Sequence, residues 1–273
     1  VRRAVLLLGL VAAGTLPAAA QSPDVMFVPT NIDVALGMLR LAGVADTDVV
    51  YDLGSGDGRL VIAAAKRHKA RGVGIDIDSS LVVEAARNAD TAGVADRVSF
   101  RKADLFATDL REATVVTLYL TPSLNLRLRP KLLTELPPGA RVVSNNFDMG
   151  DWEPDSTVIV HGVAMANTPV RLWVIPADLS GRWRVTADGL PAVRLRLDQR
   201  FQHASGRALV DGRGAATAEA RMHGDSLVLI VSGGKLARPI RYVGRAKGGR
   251  ASGIVERPGG GAPRTWEAVR TGR

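Results

Sequence analysis

Gly54, Gly56 and Gly58 stand at alternate positions in the stretch VVYDLGSGDGRL, residues 49–60, between an apolar strand-like run and an apolar helical pattern. Glycine at such a junction lets a ligand approach bare main chain, and the first turn of a helix has no internal partners for its N–H groups. The chemistry implied is capture of a polar or anionic ligand at a helix N-terminus. The dinucleotide fingerprint G-x-G-x-x-G is not matched, because the third glycine comes too early, and a P-loop fails because no Gly-Lys-Ser/Thr closes the turn. Asp52, Asp76 in GVGIDID and Asp104 in KADLF each fall at the end of a predicted strand. The chain has no cysteine, which excludes disulfides, thiolate nucleophiles and cysteine metal sites together. His68, His161, His203 and His223 are scattered without metal-ligand spacing, so no metal is expected.

The elements that must position these residues follow from hydrophobic period. Ile32, Leu36 and Leu39 share one helical face, and strands are predicted at Asp48–Leu53, Gly72–Ile77, Arg97–Lys102, Ala113–Leu120 and Arg141–Ser144. Helices are predicted at Leu60–Arg67, Ser79–Ala92 and about Leu124–Leu136, before Pro137-Pro138-Gly139 breaks the chain. Strands alternating with helices argue for a doubly wound parallel sheet, a Rossmann-like α/β fold, with Ser156–Val163 and Val170–Ile175 as an edge hairpin.

Beyond Ala177 the period changes to two. AVRLRLDQRF alternates Val193, Leu195 and Leu197 with Arg194, Arg196 and Asp198, and short runs recur at Arg182–Thr186, Thr217–Met222, Ser226–Val231, Ile240–Val243, Gly253–Glu256 and Thr265–Arg270. Such runs predict a small antiparallel all-β barrel or sandwich, with GGKLARP, KGGR and PGGGAP as turns. Residues 178–273 carry 18 Lys+Arg against 8 Asp+Glu, whereas the upstream residues carry 18 against 19. The net charge of +9 therefore belongs to the second unit. The organisation expected is a signal peptide at 1–20, an α/β domain at 21–177 and a basic β domain at 178–273. The opening VRRAVLLLGLVAAGTLPAAA has the basic start, short apolar run and small-residue exit of a secretory signal, too short to remain as a membrane span. It predicts a periplasmic or secreted protein without a transmembrane segment in its mature chain; a start at Met26 instead predicts a cytoplasmic one.

DLGSGDGR resembles motif I of the class I, seven-stranded S-adenosylmethionine-dependent methyltransferases. That resemblance implies S-adenosyl-L-methionine as cofactor, with its methionine part on the turn formed by Gly54, Ser55, Gly56 and Gly58. Asp52 would lie near the cofactor's amino group, and the helix N-terminus near its carboxylate. Asp76, 22 residues after Gly54 and followed by Ile77, would accept from ribose hydroxyls. Asp104 would read the adenine amino group, with Leu105 or Phe106 packed on the ring. Read singly, Asp76 or Asp78 could equally be a helix N-cap and Asp104 a loop former. Over roughly Val28 to Pro154, VPT, VVYDLGSGDGRLVIAAAK, VTLYLTPSLNLRLRPKLL, LPPGARVVSNNF and MGDW resemble the small protein-lysine methyltransferases that include the enzymes acting on adenine nucleotide translocase and on an ATP synthase subunit. The run Asn145-Asn146-Phe147 also resembles the post-strand segment of the seven-stranded histone lysine methyltransferases. The export signal and the appended basic unit depart from that family.

The resemblance implies N-methylation of a protein lysine by direct in-line transfer. A lysine amine, with a pKa near ~10.4, must lose its proton first. An aromatic channel of Tyr119 and Phe147 would favour the neutral amine, and Asn146 would orient it; core packing is the competing use of the two rings. Gly181-Arg182-Trp183 and Arg270 resemble the lipocalin and avidin superfamily, in which a first-strand tryptophan packs beneath a last-strand arginine. Arg194, Arg196, Arg200 and Arg221 form a basic stripe suited to an anionic membrane or envelope surface; the scarcity of aromatics argues against nucleic acid. A second function class is an exported, non-catalytic binding module that keeps the cofactor fold.

Overall fold

The computed structural model describes residues 27–273 apart from 163–164, 213, 235 and 257–263. The expected signal peptide, the alternative start at Met26 and the PGGGAP turn lie outside these residues. The first unit runs α1 (Ile32–Leu41), β1 (Val49–Leu53), α2 (Arg59–His68), β2 (Arg71–Asp76), α3 (Ser79–Ala92), β3 (Val98–Lys102), β4 (Val115–Leu118), α4 (Pro122–Glu135), β5 (Arg141–Asn145), β6 (Ser156–Gly162) and β7 (Met165–Val174). Its seven strands form one sheet in the order β3-β2-β1-β4-β5-β7-β6. The pairings from β3 through β5 are parallel, and β7 returns antiparallel to β5 with β6 outside it, as the edge hairpin predicts. Strand order reverses at β1, so the crevice beyond its carboxyl end is the place where a doubly wound sheet takes a ligand.

Local sequence explains the helix starts. Asn31 caps α1 through Asp33 N–H, Asp78 caps α3 through Ser80 N–H, and Thr121 caps α4 with Pro122 in its first turn. Helices α1 and α2 bury Val34, Met38, Leu39, Leu60 and Val61 against one face of the sheet. On the other face, α4 buries Leu124, Leu128 and Leu132 with Trp152 and Trp173. Central strand β1 is buried along its whole length, which is why it reads as a continuous apolar run rather than an alternation.

The second unit is a closed barrel of β8 (Gly181–Ala187), β9 (Val193–Arg200), β10 (His203–Val210), β11 (Ala215–His223), β12 (Ser226–Gly233), β13 (Ile240–Lys247), β14 (Arg250–Glu256) and β15 (Arg264–Gly272). Closure removes both sheet edges, and the alternation along each strand fills the interior with side chains. A void between Trp183, Leu229 and Trp266 holds only about 10 Å3, and buried side chains from every strand fill the interior, so this barrel is a packed core and not a ligand cup. Trp183 lies in it at 4% exposure with the Arg270 guanidinium 4.9 Å from its ring centre, the arrangement that the lipocalin resemblance implies. Strand β10 escaped the periodic reading because HASGRALV is weakly apolar. At Gly206 an added Cβ would stand 1.8 Å from the Arg196 carbonyl oxygen, so β9 and β10 meet there only around a glycine.

The two units are joined by packing. Phe201, in the β9–β10 turn, stacks on Trp152 with centroids 5.6 Å apart, and Trp152 Nε1 donates to Gln202 Oε1 at 3.0 Å. Gln202 Nε2 donates to the Glu153 carbonyl at 2.9 Å, and Asp151 pairs with Arg129 of α4 and with Arg200 of the barrel. MGDW is thus the seat on which the barrel stands. Gly206→Ala is expected to lower the melting midpoint by several degrees, reflecting a strain of about 1–3 kcal/mol. Differential scanning calorimetry of the two proteins checks this, and an unchanged midpoint would contradict the close approach.

Candidate functional site

Beyond the carboxyl ends of β1, β2 and β4 lies a cavity of about 810 Å3, within the roughly 300–1,000 Å3 range of small-molecule sites. Its wall includes Asp52, Gly54, Ser55, Asp76, Ile77, Asp104, Leu105 and Tyr119. The elements explain why they converge. Asp52 and Leu53 end β1, Asp76 ends β2, and Tyr119 follows β4, all at the same edge of a parallel sheet. Two of the predicted turn residues do not line the cavity. Gly56 has φ +51° and an added Cβ would stand 2.1 Å from the Phe27 ring; Gly58 has φ +78° and its Cβ would meet Phe100 and Ala85. These glycines shape the turn and admit packing from outside, so their contribution is indirect.

The turn's donors are also less bare than the sequence suggests. Gly54 and Ser55 N–H groups donate to the Ile75 carbonyl at 2.8 and 3.0 Å, and Gly58 N–H donates to the Ser55 carbonyl at 2.9 Å. Gly56 N–H donates to Asp76 Oδ2 at 2.8 Å, and Arg59 N–H donates to Asp57 Oδ1 at 3.2 Å. Asp76 Oδ1 accepts from Asp78 N–H at 3.0 Å. Asp76 therefore ties the glycine turn to β2 and still keeps a lone pair on each oxygen for a ligand. Asp78, and not Asp76, is the N-cap. Asp104 Oδ1 accepts from Phe106 N–H at 2.8 Å, so it forms its loop while facing the cavity.

Asp52 carries the electrostatics. It is 7% exposed, and its Oδ1 accepts a 2.7 Å hydrogen bond from Thr117 Oγ1. Burial pushes its pKa up to about 7, the Thr117 hydroxyl opposes that rise, and the nearby Asp76 and Asp57 charges add to it. Among the described residues no cation makes an ion pair with it. Beside it, Ser55 Oγ is buried without a hydrogen-bond partner. A buried carboxylate and an orphaned hydroxyl on one cavity wall fit a ligand that brings an ammonium group and further polar atoms. The amino-acid part of S-adenosylmethionine meets that requirement.

Several members of the site do not stand out in the sequence. Thr117 is fully buried in β4, and a hydroxyl inside an apolar strand must find a partner; that was the available signal. Phe27, Val28 and Thr30 roof the cavity, where Arg59 clasps Asp57 and donates to the Thr30 carbonyl at 2.7 Å. Arg127 of α4 lies 4.3 Å from the centre of the Phe106 ring, and both line the cavity; no local pattern brings that pair together. Of the residues predicted to act on the acceptor, Tyr119 and Phe147 stack with centroids 6.2 Å apart and planes 19° apart. Asn146 is exposed, does not line the cavity, and holds a left-handed φ of 67°. Its N–H donates to the Pro169 carbonyl at 2.8 Å, and its own carbonyl accepts from Arg171. The described residues contain no cluster of three or more histidine, cysteine or carboxylate groups able to hold a metal ion.

Comparison with known proteins agrees with this geometry. The family described as the ANTKMT methyltransferase domain matches residues 52–156. A protein-lysine N-methyltransferase of Saccharolobus islandicus is 44% identical over 154 residues, covering 56% of this chain and 95% of that protein. Mouse adenine nucleotide translocase lysine N-methyltransferase is 35% identical over 142 residues, 52% of this chain, and the chain spans 60% of its length. The solved RNA methyltransferase of Salinibacter ruber, in complex with S-adenosyl-L-homocysteine, is 57% identical with a TM-score of 0.53, covering 56% of this chain and 96% of that one.

Because Asp52 must be ionised to hold an ammonium, affinity for S-adenosylhomocysteine is expected to rise with pH up to about 7 and then level off. Asp52→Asn should weaken binding by roughly ten- to a hundredfold and flatten that profile. The sign for stability is opposite. A folded-state pKa raised above the unfolded value makes Asp52 destabilising as pH climbs from the ordinary carboxylate range to about 7. In the ligand-free protein, Asp52→Asn should therefore raise the melting midpoint more at pH 8 than at pH 4. Calorimetric titrations and melts across this range check both, and a pH-independent affinity in the wild type would contradict them.

Proposed function

Since the chain belongs to the S-adenosylmethionine-dependent methyltransferase family that includes the protein-lysine N-methyltransferases, we propose that it methylates a lysine side chain of a protein by direct in-line transfer. The observation that carries this reading is Tyr119, which lines the same cavity as Asp52 and Ser55 and has the Phe147 ring stacked on it. In the proposed arrangement Asp52 receives the cofactor's ammonium, Ser55 and the turn at Gly54 the rest of its amino-acid part, and Asp76 with Ile77 the ribose. Gly56 and Gly58 hold the turn in shape, while Asp104 and Leu105 border the adenine. When bound, the cofactor supplies an activated methyl on a sulfonium leaving group.

The protein's own task is then to present a neutral amine in line with that methyl. No general base is needed near the amine if the channel withdraws water from it, because desolvation disfavours the charged ammonium. Tyr119 offers the aromatic face for that purpose, with Phe147 stacked on it. Asn146, which does not line the cavity and whose main chain is held by Pro169 and Arg171, would act on the amine only from outside it. Thr117 acts through Asp52 as a positioning residue.

The relatives named for protein-lysine transfer support this acceptor; the solved neighbour named as an RNA methyltransferase supports the alternative of an RNA acceptor. Incubation of a cell extract with heavy-methyl S-adenosylmethionine, followed by mass spectrometry of both the protein and the RNA fractions, separates the two. The expected product is methyl-lysine in protein. Label confined to nucleosides would overturn the acceptor, and cofactor binding without any transferred label would favour a non-catalytic binding module. Phe147→Ala is expected to reduce kcat more than tenfold while leaving S-adenosylhomocysteine affinity within about threefold.

A further inference from the structure

We propose that the outer face of the barrel across β14, β15, β8, β9 and β10 is a docking surface for a flexible single-stranded polynucleotide, held through its phosphates without sequence preference. Strand register makes the case. In one lateral row Arg250 of β14 faces Val269 of β15, which faces Arg184 of β8, which faces Arg194 of β9. In the next row Arg182 of β8 faces Arg196 of β9, which faces Arg207 of β10. All six arginines are exposed, and among the described residues none has a carboxylate within ion-pair distance. Directly opposed side chains in a sheet lie about 4.5–5.5 Å apart at Cβ, where like charges destabilise the pairing.

The rest of the same barrel shows what an ordinary solvated face looks like. Arg241 pairs with Glu256, Arg245 with Asp225, and Arg270 with Asp178. The carboxylates nearest the patch are Asp198, two residues beyond Arg196, Glu267, two residues before Val269 on β15, and Asp188 and Asp211 in the flanking turns, and none of them is within ion-pair distance of the six arginines. Five unpaired guanidinium groups that repel one another across ladder pairs, with Arg250 set opposite Lys247 at the end of the row, are explained by a polyanion that neutralises them together.

Shape selects the polyanion. The rows extend over five of the eight strands, so they follow the curve of a closed barrel. A flat lipid surface would meet only part of them at once, and duplex DNA, with a persistence length of about 50 nm, would not bend around them. A flexible single strand can follow the curve. The face carries arginine rather than lysine, and the planar fork of arginine matches phosphate oxygens in pairs. It presents no aromatic side chain for base stacking, which is why sequence indifference is expected and why composition alone pointed away from nucleic acid.

The test uses the full chain and a fluorescein-labelled oligouridylate long enough to cross the five strands, followed by anisotropy over roughly 50–200 mM salt. Saturable binding is expected, similar for oligothymidylate and weaker for duplex DNA. Arg194→Gln/Arg196→Gln/Arg207→Gln should weaken it about tenfold or more and lower the slope of log K against log salt by about 2, at about 0.7 per lost phosphate contact. Arg221→Gln/Arg241→Gln/Arg245→Gln, with the same change in net charge, should leave affinity within about twofold; circular dichroism confirms that each variant is folded. Absent binding, or equal weakening by both variants, would overturn the proposal. So would arginine-dependent capture by phosphatidylserine vesicles with no affinity for the oligonucleotide. The readout does not involve methyl transfer, so it stands or falls apart from the proposed acceptor.

Discussion

A carboxylate sealed into protein without a cation is costly, and Asp52 is such a group. Among the described residues its only side-chain partner is the Thr117 hydroxyl, itself buried in the neighbouring strand. The folded protein can keep it only by holding its proton near neutrality or by receiving a positive charge from outside. The surrounding construction follows from that constraint. The glycine turn brings main chain over the end of β1, Asp76 clamps the turn from β2, and Tyr119 and Leu120 continue the wall beyond β4. A ligand carrying an ammonium completes an arrangement that the protein leaves electrostatically unfinished.

The turn does this work differently from the way its composition implies. Three alternating glycines suggest a nest of free N–H donors, yet five of the N–H groups between Gly54 and Arg59 already have acceptors inside the protein. What glycine supplies here is room and backbone conformation. Gly54, Gly56 and Gly58 all have positive φ, and the last two receive Phe27 and Phe100 where side chains would otherwise stand. Under the proposed function, polar recognition therefore falls to side chains, above all to Asp52 and Ser55.

Much of this was legible in the sequence because parallel strands buried on both faces give continuous apolar runs, and the acids at their ends mark one edge of the sheet. Helix α3 was readable to its ends, since Asp78 caps it and Gly93 stops it. Thr117 was legible in principle as a hydroxyl within VVTL. Phe27, Thr30 and Arg127 were not, because they reach the cavity through long-range packing that no local period encodes. Strand β10 was hidden for a related reason. Gly206 and its small neighbours are set by the approach of β9, a partner that the sequence of β10 alone does not reveal. The union of the two units was equally silent: Trp152 and Phe201 are 49 residues apart in sequence and become stacked neighbours only when the barrel closes.

The barrel and the cavity share a support. Arg129 of α4 lies 5.2 Å from the centre of the Phe201 ring and reaches the Met149 carbonyl, so the helix that carries Arg127 into the cavity also seats the barrel. At the centre of the account remains the charge state of one aspartate. Carboxyl-carbon NMR of Asp52, with and without S-adenosylhomocysteine, tests it most directly. A titration near 7 is expected in the free protein, moving into or below the ordinary carboxylate range when the ligand is bound. An unshifted midpoint near ~4 in the free protein, or one that ligand leaves unchanged, would contradict it.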